Sequence, residues 1–176
     1  SGSDALDLQI NSPESIEWIN NGLSINSSTD ISTTSSALIL NDSIGQTNEF
    51  TFELWISSSQ EYQSGPARIV TISENVSERN FTLGQNLNNF ILRTRTAGTN
   101  LNGLPEFSTQ TEVFEDELVH VIVTKTANGE QKIFINGEVA DSLFSEGDLS
   151  NWDREYKLAI GNEFMTNQPW LGNIYY

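Results

Sequence analysis

The chain has 176 residues, of which 36% are hydrophobic and only 18% charged; Lys and Arg number 8 against 24 Asp and Glu, a formal net charge of −16. So acidic a surface repels phosphate backbones and anionic headgroups, which excludes a general nucleic-acid binder and a polybasic membrane anchor. The lack of cysteine excludes disulfides, thiol catalysis and cysteine-ligated zinc, and a single histidine excludes a histidine-cluster metal site.

Ser1-Gly2-Ser3 reads as a cloning scar and is left out of the fold reasoning. Residues 4–176 read as one domain, expected to be a piece of a longer multidomain protein because the strand-like Trp170-Leu171-Gly172-Asn173-Ile174-Tyr175-Tyr176 runs straight to the chain end. Polarity comes from Ser, Thr and Asn, a composition that suits short strands and turns better than long helices. No window holds apolar residues at helical spacing between caps, and no apolar run approaches the roughly 20 residues that span a bilayer, so no membrane insertion is expected.

Short strands are predicted over 5–10, 15–19 and 37–40, with the polar stretch 26–36 as a loop plus an edge strand. Residues 50–56 alternate strictly, putting Phe50, Phe52, Leu54 and Ile56 on one face and Glu53 and Trp55 on the other. Further strands are predicted over 68–73, 80–83 and 90–94, with Arg93 and Arg95 turned outward. Glu115-Asp116-Glu117 reads as a solvated turn before the strand over 119–124, where Val119, Val121 and Val123 face in and His120 and Ile122 face out. A third alternating stretch runs over 132–139 and carries a strong turn signal in Asn136-Gly137, residues 126–130 read as a hairpin turn before it, and the last strand before the terminus spans 156–160. About a dozen short strands separated by turns predict an all-β fold, an antiparallel two-sheet β-sandwich of jelly-roll type.

Three ordered segments resemble the laminin-G-like branch of the concanavalin A-like jelly rolls. These are Glu49-Phe50-Thr51-Phe52-Glu53-Leu54-Trp55-Ile56, the hairpin from Leu118-Val119-His120-Val121 to Ile135-Asn136-Gly137-Glu138, and Leu158-Ala159-Ile160-Gly161-Asn162 followed by Trp170-Leu171-Gly172-Asn173-Ile174. The resemblance covers roughly residues 20–176. It implies two large packed sheets and a domain that holds sugars, in some relatives with calcium at one rim.

The same fold family includes glycoside hydrolases, which need carboxyl pairs about 5–5.5 Å or 6.5–9.5 Å apart. The best pair here, Glu49 and Glu53, shares a face but lies four residues apart, about 13 Å along a strand. Thr51 stands between them and cannot act as an acid. No lyase motif is visible around His120 with Arg93 or Arg95, so no catalytic residue is assigned.

Exposed aromatic rings stack on the apolar face of a pyranose while polar groups pair with its hydroxyls. Trp55, Glu53, His120, Arg93 and Arg95 are the expected ligand-binding set if the curved face is open; otherwise Trp55 is covered and His120 only fills a cross-strand pair. Tyr62 and Trp152 are a second candidate set at a loop edge, where Trp170 is expected to pack structurally. For Ca²⁺, the resemblance matches Glu78-Arg79-Asn80 and Gly161-Asn162-Glu163 to a rim site, implying Asn80, Asn162 and Glu163 as metal ligands with Asn167 and Gln168 further on; Arg79 departs by standing where the family has an acid. Asp4, Asp7 and Asp30 could supply a site elsewhere. Four Asn-X-Ser/Thr sequences, at Asn26, Asn41, Asn75 and Asn80, are expected by chance in so Asn- and Ser-rich a chain.

The expectation is a non-catalytic, extracellular or cell-surface module, secreted or surface-attached on a bacterium, that binds a glycan or glycosylated partner, with Ca²⁺ as candidate cofactor and other domains of the same chain as neighbours. The alternative is a structural or protein-interaction spacer without a sugar site; a glycoside hydrolase or polysaccharide lyase ranks below both.

Overall fold

Strict alternation along β5 (Phe50–Ser58) turns Phe50, Phe52, Leu54 and Ile56 into the core and leaves Thr51, Glu53 and Trp55 outside. The computed structural model of the chain describes residues 6–110, 112–113, 118–164 and 167–176. Ser1-Gly2-Ser3, Asp4, Ala5 and Glu115-Asp116-Glu117 lie outside these. The other elements are β1 (Leu8–Ile10), β2 (Ile16–Ile19), β3 (Gly22–Ile25), β4 (Ile31–Thr33), α1 (Leu38–Thr47), β6 (Gln63–Asn75), β7 (Glu78–Leu87), β8 (Asn89–Thr94) and β9 (Phe107–Ser108). After them come β10 (Val119–Lys125), β11 (Glu130–Ile135), β12 (Glu138–Phe144), β13 (Lys157–Ile160) and β14 (Gly172–Tyr175).

Two antiparallel seven-stranded sheets result, a first sheet in the order β1-β4-β13-β6-β7-β8-β9 and a second in the order β12-β11-β10-β5-β14-β3-β2. The predicted sandwich is therefore the fold. Its centre is a cross-sheet stack in which Phe52 of the second sheet lies on Phe81 of the first, 4.3 Å between ring centroids at 17°, with Phe50 edge-on to Phe81 at 5.3 Å. β14, the strand that runs to the chain end, sits between β5 and β3 and pairs with both.

The strand expected over 37–40 is instead the start of α1. Only Asn41 and Ile44 of this helix are buried, whereas Leu38 and Ile39 are exposed. Asn41 Nδ2 donates to the carbonyls of Arg154 and Tyr156. A polar residue in the buried slot removes the apolar periodicity that would have announced a helix. Asn48 ends α1 in the left-handed region (φ 59°) and binds three groups: its carbonyl and Oδ1 accept from Lys125 Nζ, Oδ1 also accepts from Leu149 N–H, and Nδ2 donates to Ala127 O. The buried Lys125 ammonium thus sits on the negative end of the helix. Burial lowers its pKa, with Asp148 and Glu49 opposing.

The outer face of the first sheet is roofed by loops. Arg68 N–H donates to Gln168 O and Arg79 N–H to Leu101 O, and beneath these segments Thr71, Ser73 and Thr82 are buried although they point away from the core. The second sheet keeps its outer face open along β10, β5 and β14.

Candidate functional site

Antiparallel register sets His120 opposite Trp55 and Trp55 opposite Tyr175, so one row crosses β10, β5 and β14. Gly22 follows Tyr175 in the row and adds no side chain; a Cβ there would lie 2.4 Å from Ile174 O. Imidazole and indole stack at 4.1 Å between centroids and 8° between planes. One face of Trp55 is therefore covered by the imidazole, while the residue remains 43% exposed.

Glu53, one pair further along β5, meets His120 Nε2 at 2.8 Å through Oε1 and keeps 57% of its side chain exposed. His120 is held from behind: its N–H donates to Asn136 Oδ1 and its carbonyl accepts from Asn136 N–H. Asn136 can do both because it adopts a left-handed turn conformation (φ 52°) ahead of Gly137. On the other side of the row, Asn173 Nδ2 donates to Ser57 Oγ and to Tyr175 Oη, and these two hydroxyls lie 3.3 Å apart. The patch thus combines a partly exposed indole, a phenol, two amide or hydroxyl groups and a carboxylate on adjacent strands. Such groups hold a polyol and need no chemistry to do so.

The structure brings Trp55, Glu53 and His120 together. It sets Arg93 and Arg95 apart, because Arg93 lies on β8 and Arg95 just after it, in the first sheet. Arg93 forms a salt bridge to Glu106 at 2.8 Å and donates to Asn102. Arg95 Nη1 reaches Tyr156 Oη at 3.5 Å, and its carbonyl accepts from Trp152 Nε1 at 2.7 Å. The expected loop-edge pair is separated too. Trp152 is 9% exposed and packs on Phe50 at the start of β5, whereas Tyr62 is exposed just beyond its end. Eight residue steps of strand, about 27 Å, lie between those ends. The Tyr62 phenol is raised by its hydrogen bond to Glu61 and by the charges of Glu112 and Glu61.

The residues implied for calcium do not fit a calcium ion. Glu163 is wholly buried and its carboxylate is taken by Arg68 Nε and Arg79 Nη1, each at 3.3 Å, and by Ser73 Oγ at 2.5 Å. Asn80 Oδ1 accepts from Asp153 N–H, and Asn162 Oδ1 accepts from the N–H groups of Glu163 and Gln168. A hard cation needs six to eight oxygens free to face it, and here guanidinium and amide donors hold them. Asp30 is buried against Asn11 Nδ2, and among the described residues no three Asp, Glu or His gather as metal ligands. The two segments matched to a rim site do meet, but Arg79 supplies the positive charge. Burial, and then the neighbouring Arg68, lower the pKa of Arg79 to about 9.

Tyr175, Asn173 and Ser57 join the patch without any motif that marks them; period-two spacing in 171–176, which sets Asn173 and Tyr175 on one face, is their signal in the sequence. Trp18, outside the expected sites, is the most exposed tryptophan, at 73% on the edge strand β2.

Comparison with known proteins agrees with this architecture. A laminin-G family model described as the concanavalin A-like lectin/glucanases superfamily matches residues 31–175. No curated protein sequence matches. Among solved structures, the Ruminococcus gnavus IT-sialidase CBM40 bound to alpha2,3 sialyllactose is similar with a TM-score of 0.62 at 15% identity, over 89% of this chain and 87% of that one. The botulinum neurotoxin serotype D/C binding domain is similar with a TM-score of 0.61 at 12% identity, over 98% of this chain but 44% of that one. The neurotoxin DC binding domain in complex with rat synaptotagmin II gives the same values. At these identities the likeness is one of fold. Among the described residues, no helix is long and apolar enough to cross a membrane.

Proposed function

The chain belongs to the concanavalin A-like lectin/glucanase superfamily, and from that premise we propose that it is a non-catalytic carbohydrate-binding module whose site is the open outer face of β10, β5 and β14. The observation that carries this reading is the row His120–Trp55–Tyr175, in which a partly exposed indole is fixed by a stacked imidazole and bordered by hydrogen-bonding groups. A sugar ring stacks on the remaining indole face, and Glu53, Ser57, Asn173 and Tyr175 pair with its hydroxyls. Ring and ligand meet with little loss of freedom, because the indole is already stacked on His120, which Glu53 in turn holds.

The reading assigns neutral glycans to this face. It presents an exposed carboxylate and no guanidinium, in a chain of net charge −16, so an acidic sugar such as the sialyllactose of the similar R. gnavus domain is repelled. The absence of catalysis in this reading rests on spacing: Glu49, just before β5, and Glu53 on it are four residues apart, about 13 Å of extended chain, outside both glycosidase geometries, and Glu163 is committed to its arginines. In this account the module works outside the cell or on its surface, beside other domains of a longer chain. Melting the protein across a panel of neutral oligosaccharides tests it, since a ligand bound only to the native state raises stability as RT ln(1 + [L]/Kd). A shift lost in Trp55→Ala supports the reading, and no shift with any glycan supports a spacer.

A further inference from the structure

Between the two sheets, where the sandwich opens beside the edge strands β9 and β12, lies a cavity of about 240 Å³. Leu92, Pro105, Phe107 and Leu143 wall it, and Glu146 stands at its rim. Across it the sheets are tied by one side-chain bond, from Thr94 Oγ1 to Gln131 Oε1 at 2.9 Å. Gln131 is only 3% exposed and lines the cavity; its Nε2 makes no hydrogen bond among the described residues and stays accessible from the cavity. A donor that faces a cavity in this way is paired by water when the cavity is empty and is free to pair with a ligand that displaces that water. At the mouth, Leu143 and Phe144 remain 40% and 67% exposed, an apolar rim continuous with an apolar interior.

We propose that this cavity is a binding site for a small neutral amphiphile, a single ring or short acyl group that carries a carbonyl oxygen. The apolar body fills the space between Leu92, Phe107 and Leu143, and the carbonyl accepts from Gln131 Nε2. The volume falls below the roughly 300–1,000 Å³ of drug-sized pockets, which limits the ligand to one ring or its equivalent. Glu146 at the rim, with no cation among the lining residues, excludes anions. The site is separate from the Trp55 face: it lies between the sheets, and its residues come from β8, β9, β11, β12 and the loops after β8 and β12.

Acetanilide, which has a ring and one amide carbonyl, is a suitable probe, with toluene lacking the acceptor and benzoate adding a negative charge. Titration of isotope-labelled protein followed by NMR reads the Gln131 side-chain NH₂ directly. The expected result is saturable binding of acetanilide with movement of that NH₂, loss of binding in Leu143→Trp, and about fivefold weaker binding in Gln131→Met, the worth of one hydrogen bond. Benzoate binds more weakly than acetanilide. No saturable shift, unchanged binding in Leu143→Trp, or toluene binding as tightly as acetanilide overturns the proposal. Leu143 is partly exposed, so its variant tests the site even if Gln131→Met fails to fold.

Discussion

Glu163 and Arg79 lie 84 residues apart in sequence and meet at 3.3 Å inside the roofed face of the first sheet. With Arg68 on the same carboxylate, they join β6, β7 and the loop after β13 through one buried anion. Removing that anion leaves two guanidiniums without their counter-charge. Glu163→Gln is therefore expected to destabilise the fold by about 3–5 kcal/mol, read as a lower denaturation midpoint in urea. A loss below about 1 kcal/mol would show that the roof does not depend on this carboxylate.

Calcium follows from the same geometry. Because the oxygens of Asn80, Asn162 and Glu163 are held by protein donors, melting temperatures with EDTA and with millimolar Ca²⁺ are expected to coincide. A rise with Ca²⁺ that Glu163→Gln removes would contradict the assignment.

Phe81 carries the cross-sheet stack with Phe52 and is fully buried. Phe81→Ala is expected to cost about 3–5 kcal/mol, the usual range for emptying an aromatic site in a packed core. Equilibrium unfolding measures it, and a cost near 1 kcal/mol would mean that the sheets close over the gap.

Tyr156 gives a signed pH dependence. Burial is the main cause holding its phenol above the ordinary value of 10. A group whose folded pKa is raised adds stability that is complete below the unfolded pKa and is lost as pH rises through the folded one. Stability is thus expected to fall above pH 10, and less steeply in Tyr156→Phe. Urea midpoints between pH 9 and 11 check this, and parallel profiles for the two proteins would exclude Tyr156 as a contributor.

How much of this was legible in the sequence depended on whether the signal was local. The faces of β5 and β10 were readable because alternation is written within seven residues, and with them came Trp55, Glu53 and His120 as outward groups. Their contact needs the register of β5 against β10, which the paired motifs only suggested. Arg93 and Arg95 were grouped with them because each strand shows which face is outer but not which sheet it joins. α1 was hidden because Asn41 takes its buried position. Trp152 looked exposed because its loop is polar, yet the indole N–H bonds to the Arg95 carbonyl from 57 residues away. Glu163 looked like a metal ligand because only the folded chain reveals the two arginines that hold it.

The most direct test of the account is calorimetric titration of the wild-type protein and Trp55→Ala with neutral oligosaccharides, alongside sialyllactose. The account predicts that the wild type binds at least one neutral glycan more tightly than sialyllactose. It also predicts that Trp55→Ala, with an unchanged melt, binds that glycan at least about tenfold more weakly. Equal binding by the two proteins, or a clear preference of the wild type for sialyllactose, would contradict it.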